Sequence, residues 1–198
     1  MTDCSWPGSD PQYINYHDHC WGMPVLDCQE LFAKLCLDGQ QAGLSWLIIL
    51  RKQSEYERLF AQFDPHKLAL FDESIIESLL QEPGIIRNRL KINAIIQNAK
   101  AYLALEQQGI NFSDYLWAFV DHYPINHRLS SQAEAPTTSK EAQNMAKSLK
   151  KNGFKFVGET ICYAFMQAVG MVNDHLISCS AHQRCLDRTV ELFGSRTC

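Results

Sequence analysis

The segment Lys151-Asn-Gly-Phe-Lys-Phe-Val-Gly158 places two glycines around a short apolar turn. Helical periodicity lies on both sides of it, over Ser139 to Lys151 and over Val157 to Val169. Backbone N–H groups at such a turn, and at the start of the helix that follows, can bind a phosphate oxygen. The same spacing occurs in ordinary helical hairpins, so the segment alone leaves both interpretations open.

Helical periodicity continues through most of the chain, and no segment shows the clean alternation of a strand. Asp27-Cys-Gln-Glu30 is typical of a capping box at the start of a helix. The next helix is predicted over Ser45 to about Phe63, and Asp64-Pro65 closes it. Further helices are predicted from Asp72, over Asn88 to Leu105 and over Phe112 to Val120. Because Pro124 to Ser139 is polar and contains prolines, we predict a surface connection there and an all-α fold overall.

Length and composition indicate a single globular domain. A chain of 198 residues can bury a substantial core, and a hydrophobic fraction of 46% is ordinary for such a protein. No apolar stretch approaches the roughly 20 residues of a membrane helix. The first residues have neither the basic nor the apolar region of a signal peptide. We therefore expect a cytoplasmic protein without a membrane partner, in which the eight cysteines are reduced thiols or metal ligands.

The charge is slightly negative overall but unevenly distributed. A net charge of −4 argues against a surface that coats nucleic acid indiscriminately. Local basic clusters could still grip a few phosphates, although solvated helix faces would look the same. These clusters are Arg87, Arg89 and Lys91 in one segment, and Lys147, Lys150, Lys151 and Lys155 in another.

Histidine and cysteine pairs near the two ends of the chain predict a metal site. Cys4 and His17 together with His175 and Cys179 would make a four-coordinate zinc site, with no open position for an activated water. Such a zinc is structural. The spacing of His175 and Cys179 places them on one face of a helix. Buried thiols and hydrogen-bonded histidines are the alternative, and the competing ligands are His19, Cys20, His182 and Cys185.

Several motifs together resemble the 3-methyladenine DNA glycosylase I family. They are Cys4-Ser-Trp6, Tyr13-Ile-Asn-Tyr-His-Asp18, Trp21-Gly22, Gly39-Gln-Gln-Ala-Gly-Leu-Ser-Trp46, Gly84-Ile-Ile-Arg-Asn-Arg89, Gly153-Phe-Lys-Phe-Val-Gly158 and Val172-Asn-Asp-His175. They occur in order from about Met1 to Cys179, whereas Ser180 to Cys198 matches nothing known in the family. The resemblance implies one helical glycosylase domain over residues 1–179 and a tail of unknown role over 180–198.

The resemblance also implies a helix-hairpin-helix DNA repair fold, with a structural zinc held by Cys4, His17, His175 and Cys179. The partner would be double-stranded DNA that contains alkylated adenine, bound by a monomer. The tip at Gly43 and Leu44 would fill the hole left by the extruded nucleotide, although Leu44 taken alone could be a core leucine. The expected contacts to the DNA backbone are Gly84, Arg87, Gly153, Lys155 and Gly158.

The damaged base in this family carries a positive charge, because it is methylated at N3, and it is therefore already a good leaving group. Electron-rich aromatic faces suit a cationic base. The candidates are Tyr13, Tyr16, Trp21 and Trp46, and the resemblance points particularly to Tyr16 and Trp46. For any one of these side chains, core packing is the alternative interpretation.

Asp38 is the position at which this chain departs from the family, which usually has glutamate there. The resemblance implies that this carboxylate, the candidate catalytic group, reads the exocyclic amine edge of the base. Aspartate is one methylene shorter, so the pocket closes in, a water bridges the gap, or specificity has drifted. The alternative is a surface aspartate at a helix end. Asn173 stands where many relatives in the wider superfamily carry a catalytic aspartate, and we expect the neighbouring Asp174 to point elsewhere.

The sequence therefore predicts a monofunctional DNA glycosylase that flips and releases 3-methyladenine, without a redox cofactor or a Schiff-base lysine. A catalytically weakened protein that binds the lesion is one alternative, favoured if Asp38 does not reach the base. A zinc hydrolase or deaminase is another, but the His-x-Glu…Cys-x-x-Cys pattern of zinc deaminases is absent from the sequence.

Overall fold

A computed structural model describes residues 4–195, and most of them are helical. The outermost residues of the predicted domain and of the predicted tail, 1–3 and 196–198, lie outside the described part. The α-helices are α1 (Pro11–His19), α2 (Cys28–Gln41), α3 (Trp46–Leu50), α4 (Gln53–Leu59), α5 (Pro65–Leu68), α6 (Glu73–Leu79), α7 (Arg89–Gln107), α8 (Phe112–Trp117), α9 (Lys140–Lys151), α10 (Glu159–Ala168) and α11 (Ser180–Phe193). Short 3-10 helices cover Ala61–Phe63, Ala118–Val120 and Gln132–Glu134. In the part of the chain that the structure describes, no helix combines the length and the apolarity needed to cross a membrane.

Side-chain caps explain where many of these helices begin. The Asp27 carboxylate accepts a hydrogen bond from the Glu30 backbone N–H at 2.8 Å, as the predicted capping box requires. Each such cap satisfies one backbone donor that the first helical turn leaves without a partner, and stabilises the helix by about 1 kcal/mol. Equivalent caps begin six more helices, at Asp10, Asp64, Asp72, Asn88, Asn111 and Ser139.

The core forms around α2, which packs against α3, α7, α8 and α10. Helix α2 buries Leu31, Phe32 and Leu35 completely. Helices α9 and α10 pack against each other, and residues 152–158 connect them. A second, smaller apolar cluster contains Cys4 and Cys179 with Leu129, Leu176 and Ala181. The fold is therefore mostly helical, as predicted.

The single helix predicted from Ser45 to Phe63 is wrong, because the chain breaks there into α3, α4 and the turn Ala61–Phe63. The three turn residues have positive φ, at 51°, 57° and 55°. This reversal places both Phe60 and Phe63 in the core, where neither side chain is exposed and the ring centroids lie 6.1 Å apart. Burial of both rings outweighs continuation of the helix, although the apolar spacing in the sequence does not reveal the break.

The helix predicted to carry His175 and Cys179 is also wrong. His175 N–H donates to the Asn173 amide oxygen and Cys179 N–H donates to the Leu176 carbonyl, so this segment is a turn. Cys179 is the residue that precedes the first turn of α11. The turn itself is tied to the chain before α9, since Ile177 N–H donates to the Leu129 carbonyl at 2.9 Å.

Several elements of regular structure were not predicted, among them the helices α1, α5 and α11 and a pair of short strands. The strands β1 (Ile125–Asn126) and β2 (Val172–Asn173) form a two-residue parallel pair, which is too short to produce an alternating pattern. Helix α11 fills most of the predicted tail, and its Phe193 ring packs 4.9 Å from the Trp117 ring. The Arg184 guanidinium donates to the Asp18 carbonyl at the end of α1. The described part of the tail that forms α11 is therefore packed against the rest of the protein.

Candidate functional site

Aromatic side chains surround a cavity of about 260 Å³ between the first helices and α10. Tyr13 and Tyr16 reach it from one face of α1, where a spacing of three residues brings side chains together. Trp21 follows α1 and Trp46 begins α3, so all four predicted aromatics line the cavity. Trp6, which the sequence did not single out for base binding, lines it as well.

The aromatic rings form two adjoining groups. The Tyr16 and Trp46 rings lie 5.4 Å apart at a tilt of 42°. The Trp6 ring meets the rings of Tyr13 and Trp21 edge-on, at 4.9 Å and 5.0 Å. Packing against one another fixes the orientation of the rings while leaving their surfaces on the cavity. Such a wall is electron-rich and suits a planar, positively charged ligand.

Asp38 lies in the last part of α2 and its side chain reaches the same cavity. The residue is 3% exposed, so it is not the surface aspartate of the alternative interpretation. Burial raises the pKa of Asp38 to about 7, and the positive charge of Lys34 opposes that rise. Within residues 4–195, neither Asp38 Oδ2 nor the Trp46 indole N–H has a hydrogen-bond partner. Buried polar atoms are costly when they lack partners, and a ligand that offered both a donor and an acceptor would satisfy them.

Asp174 was expected to point elsewhere, but it lines this cavity too. Its carboxylate oxygens are already engaged, since His127 Nδ1 lies 2.5 Å from Oδ1 and both the Tyr163 hydroxyl and the Gln167 amide donate to Oδ2. Burial alone raises the pKa of Asp174, but these hydrogen bonds more than compensate and the pKa is lowered. Asp174 is therefore an ionised residue of the cavity wall, and both of its carboxylate oxygens already have hydrogen-bond partners.

Asn173 contributes to the backbone rather than to the cavity. Its side-chain amide donates to the His182 carbonyl at 3.1 Å, and its oxygen accepts from the His175 N–H at 3.3 Å. These bonds hold the turn that carries His175. Asn173, which occupies the position of a catalytic aspartate in many relatives of the wider superfamily, therefore has a structural role in this protein.

The segment predicted as a surface connection supplies one wall of the cavity. Gln132 and Ala135 line it, opposite residues of α10 that include Ala164 and Gln167. Sequence reasoning missed these positions, because a polar, proline-containing segment indicates exposure. The hydrogen bonds from Ser130 and Ser131 to the Glu134 carboxylate give the segment its own compact turn.

The four predicted metal ligands converge at a second buried site. The ligand atoms of Cys4, His17, His175 and Cys179 all lie within 4.8 Å of one another, and all four residues are buried. Individual separations between sulfur and nitrogen are 3.8 Å and 3.9 Å. A tetrahedral ion with bonds of about 2.0–2.3 Å spaces its ligand atoms about 3.3–3.8 Å apart, so the donor set fits a metal. Among the described residues, the competing histidines and cysteines belong to no such cluster.

Both histidines of this candidate metal site are oriented by a second contact. His17 turns Nε2 toward the cluster while its Nδ1 lies 2.7 Å from the Asp18 carboxylate. His175 turns Nδ1 inward while its Nε2 lies 2.9 Å from the Trp21 carbonyl. Burial lowers the pKa of His175 to about 4, which favours the neutral ring that a metal requires. Outer contacts of this kind are characteristic of metal-binding histidines.

Leu44 occupies an exposed tip between α2 and α3. Gly43 has a φ of +77°, a conformation that glycine adopts without strain, and the Leu44 N–H donates to the Gln41 carbonyl at 2.7 Å. The Leu44 side chain is 36% exposed, so it is not a core leucine.

The predicted basic cluster at residues 87–91 divides into three different environments. Arg87 is exposed, whereas Arg89 forms ion pairs with Glu73 and Glu77 of α6. Lys91 is only 7% exposed, and its ammonium donates to the Gln40 and Ala42 carbonyls. Lys91 therefore satisfies backbone carbonyls at the end of α2, close to Leu44, a role that the sequence did not predict. Arg87 is the residue of this cluster whose charge stays accessible.

The two predicted backbone-binding turns are shaped by close contacts. A Cβ atom at Gly84 would lie 2.8 Å from the Glu55 side chain, so only glycine fits there. In the other turn, Gly153 has a φ of +92° and Asn98 pairs with both the N–H and the carbonyl of Lys155. The Lys155 side chain is exposed, and α10 begins after Gly158 without a side-chain cap. The first N–H groups of α10 are thus not occupied by a cap.

Comparison with known proteins gives a consistent result over nearly the whole chain. Residues 6–182 match the family model described as methyladenine glycosylase. The chain is 50% identical over 182 residues to DNA-3-methyladenine glycosylase 1 of Escherichia coli K12, which covers 92% of this chain and 97% of the relative. A crystal structure of 3-methyladenine DNA glycosylase I superposes with a TM-score of 0.89 at 51% identity, covering 91% of this chain and 98% of the other. A variant of 3-methyladenine DNA glycosylase I in complex with 3-methyladenine gives 0.89 at 38% identity, with coverages of 92% and 98%.

Proposed function

This chain belongs to the methyladenine glycosylase family, and we propose that it is a monofunctional DNA glycosylase that hydrolyses the N-glycosidic bond of 3-methyladenine in alkylated DNA. The observation that carries the proposal is the pair of unpartnered polar atoms in the aromatic cavity, Asp38 Oδ2 and Trp46 Nε1. One purine with a donor and an acceptor on its edge would satisfy both. The relatives act on 3-methyladenine by name, and the cavity has the chemistry for that base.

Recognition follows from charge as well as from hydrogen bonding. Asp38 accepts from the exocyclic amine and attracts the cationic ring, whereas neutral adenine gains only the hydrogen bond. The rings of Tyr16 and Trp46 add attraction for a cation. Because methylation makes the base a good leaving group, these residues need only hold the flipped nucleotide and admit water to the sugar carbon. Asp38 is thus the catalytic group that contacts the base, although it is shorter than the family's glutamate.

The remaining predicted residues serve the extrusion of the nucleotide. We assign a helix-hairpin-helix role to α9, α10 and the turn between them, where Lys155 and the uncapped start of α10 face the phosphate backbone. Arg87 and the turn at Gly84 make a second backbone contact. Leu44 enters the duplex as the apolar wedge, which its exposure supports.

We assign zinc to the cluster of Cys4, His17, His175 and Cys179, because two thiolates and two imidazoles are a characteristic zinc donor set. Zinc bound there supplies no chemistry to the reaction, since four protein ligands close its coordination. Its role is to join residues from the two ends of the domain and thereby stabilise it. We further propose that the glycosylase domain of residues 1–179 acts as a monomer in the cytoplasm, with the tail packed on it.

The test is to incubate alkylated duplex DNA with the protein and identify the free bases released. Wild type releases 3-methyladenine, Asp38→Asn loses most of this activity while remaining folded, and Asp38→Glu retains or raises it. Asp114→Asn is the matched control, because it makes the same change at an exposed aspartate. If wild type binds alkylated or abasic duplex without releasing a base, the protein is a lesion-binding protein and not an enzyme.

A further inference from the structure

Lys34 lies one helical turn before Asp38 on α2, so both side chains project from the same face. It is half-buried, and its ammonium lies 6.0 Å from the centre of the Tyr16 ring. Lys34 does not reach the base cavity itself. It lines a separate surface depression, together with Glu30 and Gln53. A cation therefore lies behind the wall of the cavity, next to two residues that line it.

The charge of Lys34 is not taken up by an ion pair. Within the described residues, no carboxylate oxygen lies within 4.0 Å of its ammonium, whereas Arg58 and Arg89 each pair with glutamates. An unpaired, partly buried cation acts on its neighbours over several ångströms, because solvent screens it less than it would screen an exposed lysine. The ammonium lies beside the Tyr16 ring, and its positive charge acts on the Asp38 carboxylate.

The other titratable groups around Asp38 carry no positive charge that could stabilise its carboxylate. Burial and the charge of Asp38 raise the pKa of Tyr16 well above its usual value. Burial raises that of Cys162 to about 12, so both groups are neutral near pH 7. Asp174, on the same cavity, is anionic and would disfavour a second carboxylate. Lys34 is the group that opposes the effect of burial on the Asp38 pKa.

We propose that Lys34 is a positioning residue that increases the fraction of Asp38 in the anionic form before the cationic base arrives, an inference that rests on the proposed function. Once the base is bound, its own positive charge stabilises the carboxylate and Lys34 is no longer needed. The ammonium then opposes the bound cation weakly. Lys34 therefore helps the reaction at lower pH, where Asp38 would otherwise be protonated, and gives no benefit at higher pH.

The experiment compares Lys34→Met, which keeps the length and removes the charge, with Lys34→Arg, which keeps the charge. The Asp38 pKa is measured by NMR titration of protein with ¹³C-labelled aspartate carboxyls, assigned with Asp38→Asn. We expect a rise of about half a unit or more in Lys34→Met. No rise is expected in Lys34→Arg, or in Lys140→Met at an exposed lysine of α9.

The pH profile of 3-methyladenine release gives the second readout. In Lys34→Met the acid limb moves to higher pH, so that release near pH 6.5 falls about threefold or more while the plateau above pH 8 is kept or raised. An unchanged Asp38 pKa overturns the inference, and a uniform loss of release at every pH with that unchanged pKa assigns Lys34 a purely structural role. If Lys34→Met does not fold, Lys34→Gln takes its place in both measurements. Should wild type release no base, the proposed function fails, yet the titration still decides whether Lys34 controls Asp38.

Discussion

The candidate metal site, formed by Cys4, His17, His175 and Cys179, shares a wall with the aromatic cavity, but the two regions differ in whether their buried polar groups have partners. The Trp6 ring contacts His17 of the cluster at 5.2 Å and Tyr13 of the cavity at 4.9 Å, so the two regions are direct neighbours. In the cluster, four ligand atoms converge on each other and both histidine rings have a second contact. In the cavity, Asp38 and Trp46 are left with buried atoms that nothing in the described chain satisfies.

The two regions therefore make opposite contributions to the stability of the folded protein. Groups that satisfy one another, or satisfy a metal, lower the free energy of the folded state. Groups held without partners raise it, and the chain tolerates them only because packing elsewhere supplies enough stability. Substitutions in the two regions should therefore differ in the sign of their effect on the free energy of unfolding.

Loss of a metal ligand should have the largest effect. Cys4→Ala and His175→Ala each leave three ligands, so we expect lost zinc and a free energy of unfolding lower by at least about 3 kcal/mol. Metal analysis and urea unfolding measure the two quantities. Cys20→Ala, at an exposed cysteine outside the cluster, should keep full zinc and wild-type stability. Full zinc occupancy in both ligand variants would remove these residues from the site.

Asp38→Asn should show the opposite sign. Because the pKa of Asp38 is about 7 in the folded protein and 3.8 when exposed, the folded state prefers the protonated form. The stability associated with Asp38 is thus complete below pH 4 and is lost as the pH rises toward 7. Replacing the carboxylate removes this loss, so the variant should be more stable than wild type by roughly 2–4 kcal/mol at pH 8, with little difference at pH 4. Urea unfolding at the two pH values tests this, and an equal decrease at both would mean that Asp38 makes stabilising contacts.

Leu44→Ala should change function with almost no change in stability. The side chain is exposed, so its loss should alter the free energy of unfolding by less than about 0.5 kcal/mol. Base release should fall about tenfold more than duplex affinity, because the wedge acts after binding, when the nucleotide is extruded. Leu90→Ala removes another exposed leucine and serves as the control. Equal losses of release and affinity would identify Leu44 as a packing residue.

Lys155→Ala should have the smallest effect, confined to duplex affinity. A lost phosphate contact weakens binding similarly on unrelated duplexes and reduces the slope of log affinity against log salt by about 0.9. Arg89→Ala is the comparison, since Arg89 is already paired with two glutamates and should leave that slope unchanged. An unchanged slope in Lys155→Ala would place that lysine outside the interface.

The resemblance to a known family, carried by motifs in a fixed order, was what singled out the four candidate metal ligands and the aromatic wall of the cavity. Cys4, His17, His175 and Cys179 converge, although the helix assumed for the last two is a turn. The assignment did not depend on that helix, since the motifs and not the secondary structure distinguished these residues from the competing histidines and cysteines. Tyr13, Tyr16, Trp21 and Trp46 could be predicted for the same reason, from motifs that occur together.

The positions that the sequence missed depend on tertiary contacts. Gln132 and Ala135 belong to a segment whose polarity indicates exposure. They line the cavity because the folded chain brings this segment against it, which the sequence pattern does not reveal. Arg87 and Lys91 look alike in the sequence, yet one is exposed and the other caps a helix far along the chain. The break at Ala61–Phe63 depends on where two phenylalanines can be buried together.

The wide separation in sequence of the four residues at the candidate metal site sets an order of events during synthesis. Cys4 and His175 are 171 positions apart, and His17 and Cys179 are 162 apart. At roughly 5–20 residues per second, the first pair of ligands leaves the ribosome on the order of 10–30 seconds before the second pair. During that interval Cys4 and His17 lack the two later residues that complete the cluster, and the helices between must fold before the cluster can close. Closure of the cluster is therefore a late step, which a chain interrupted before His175 cannot reach.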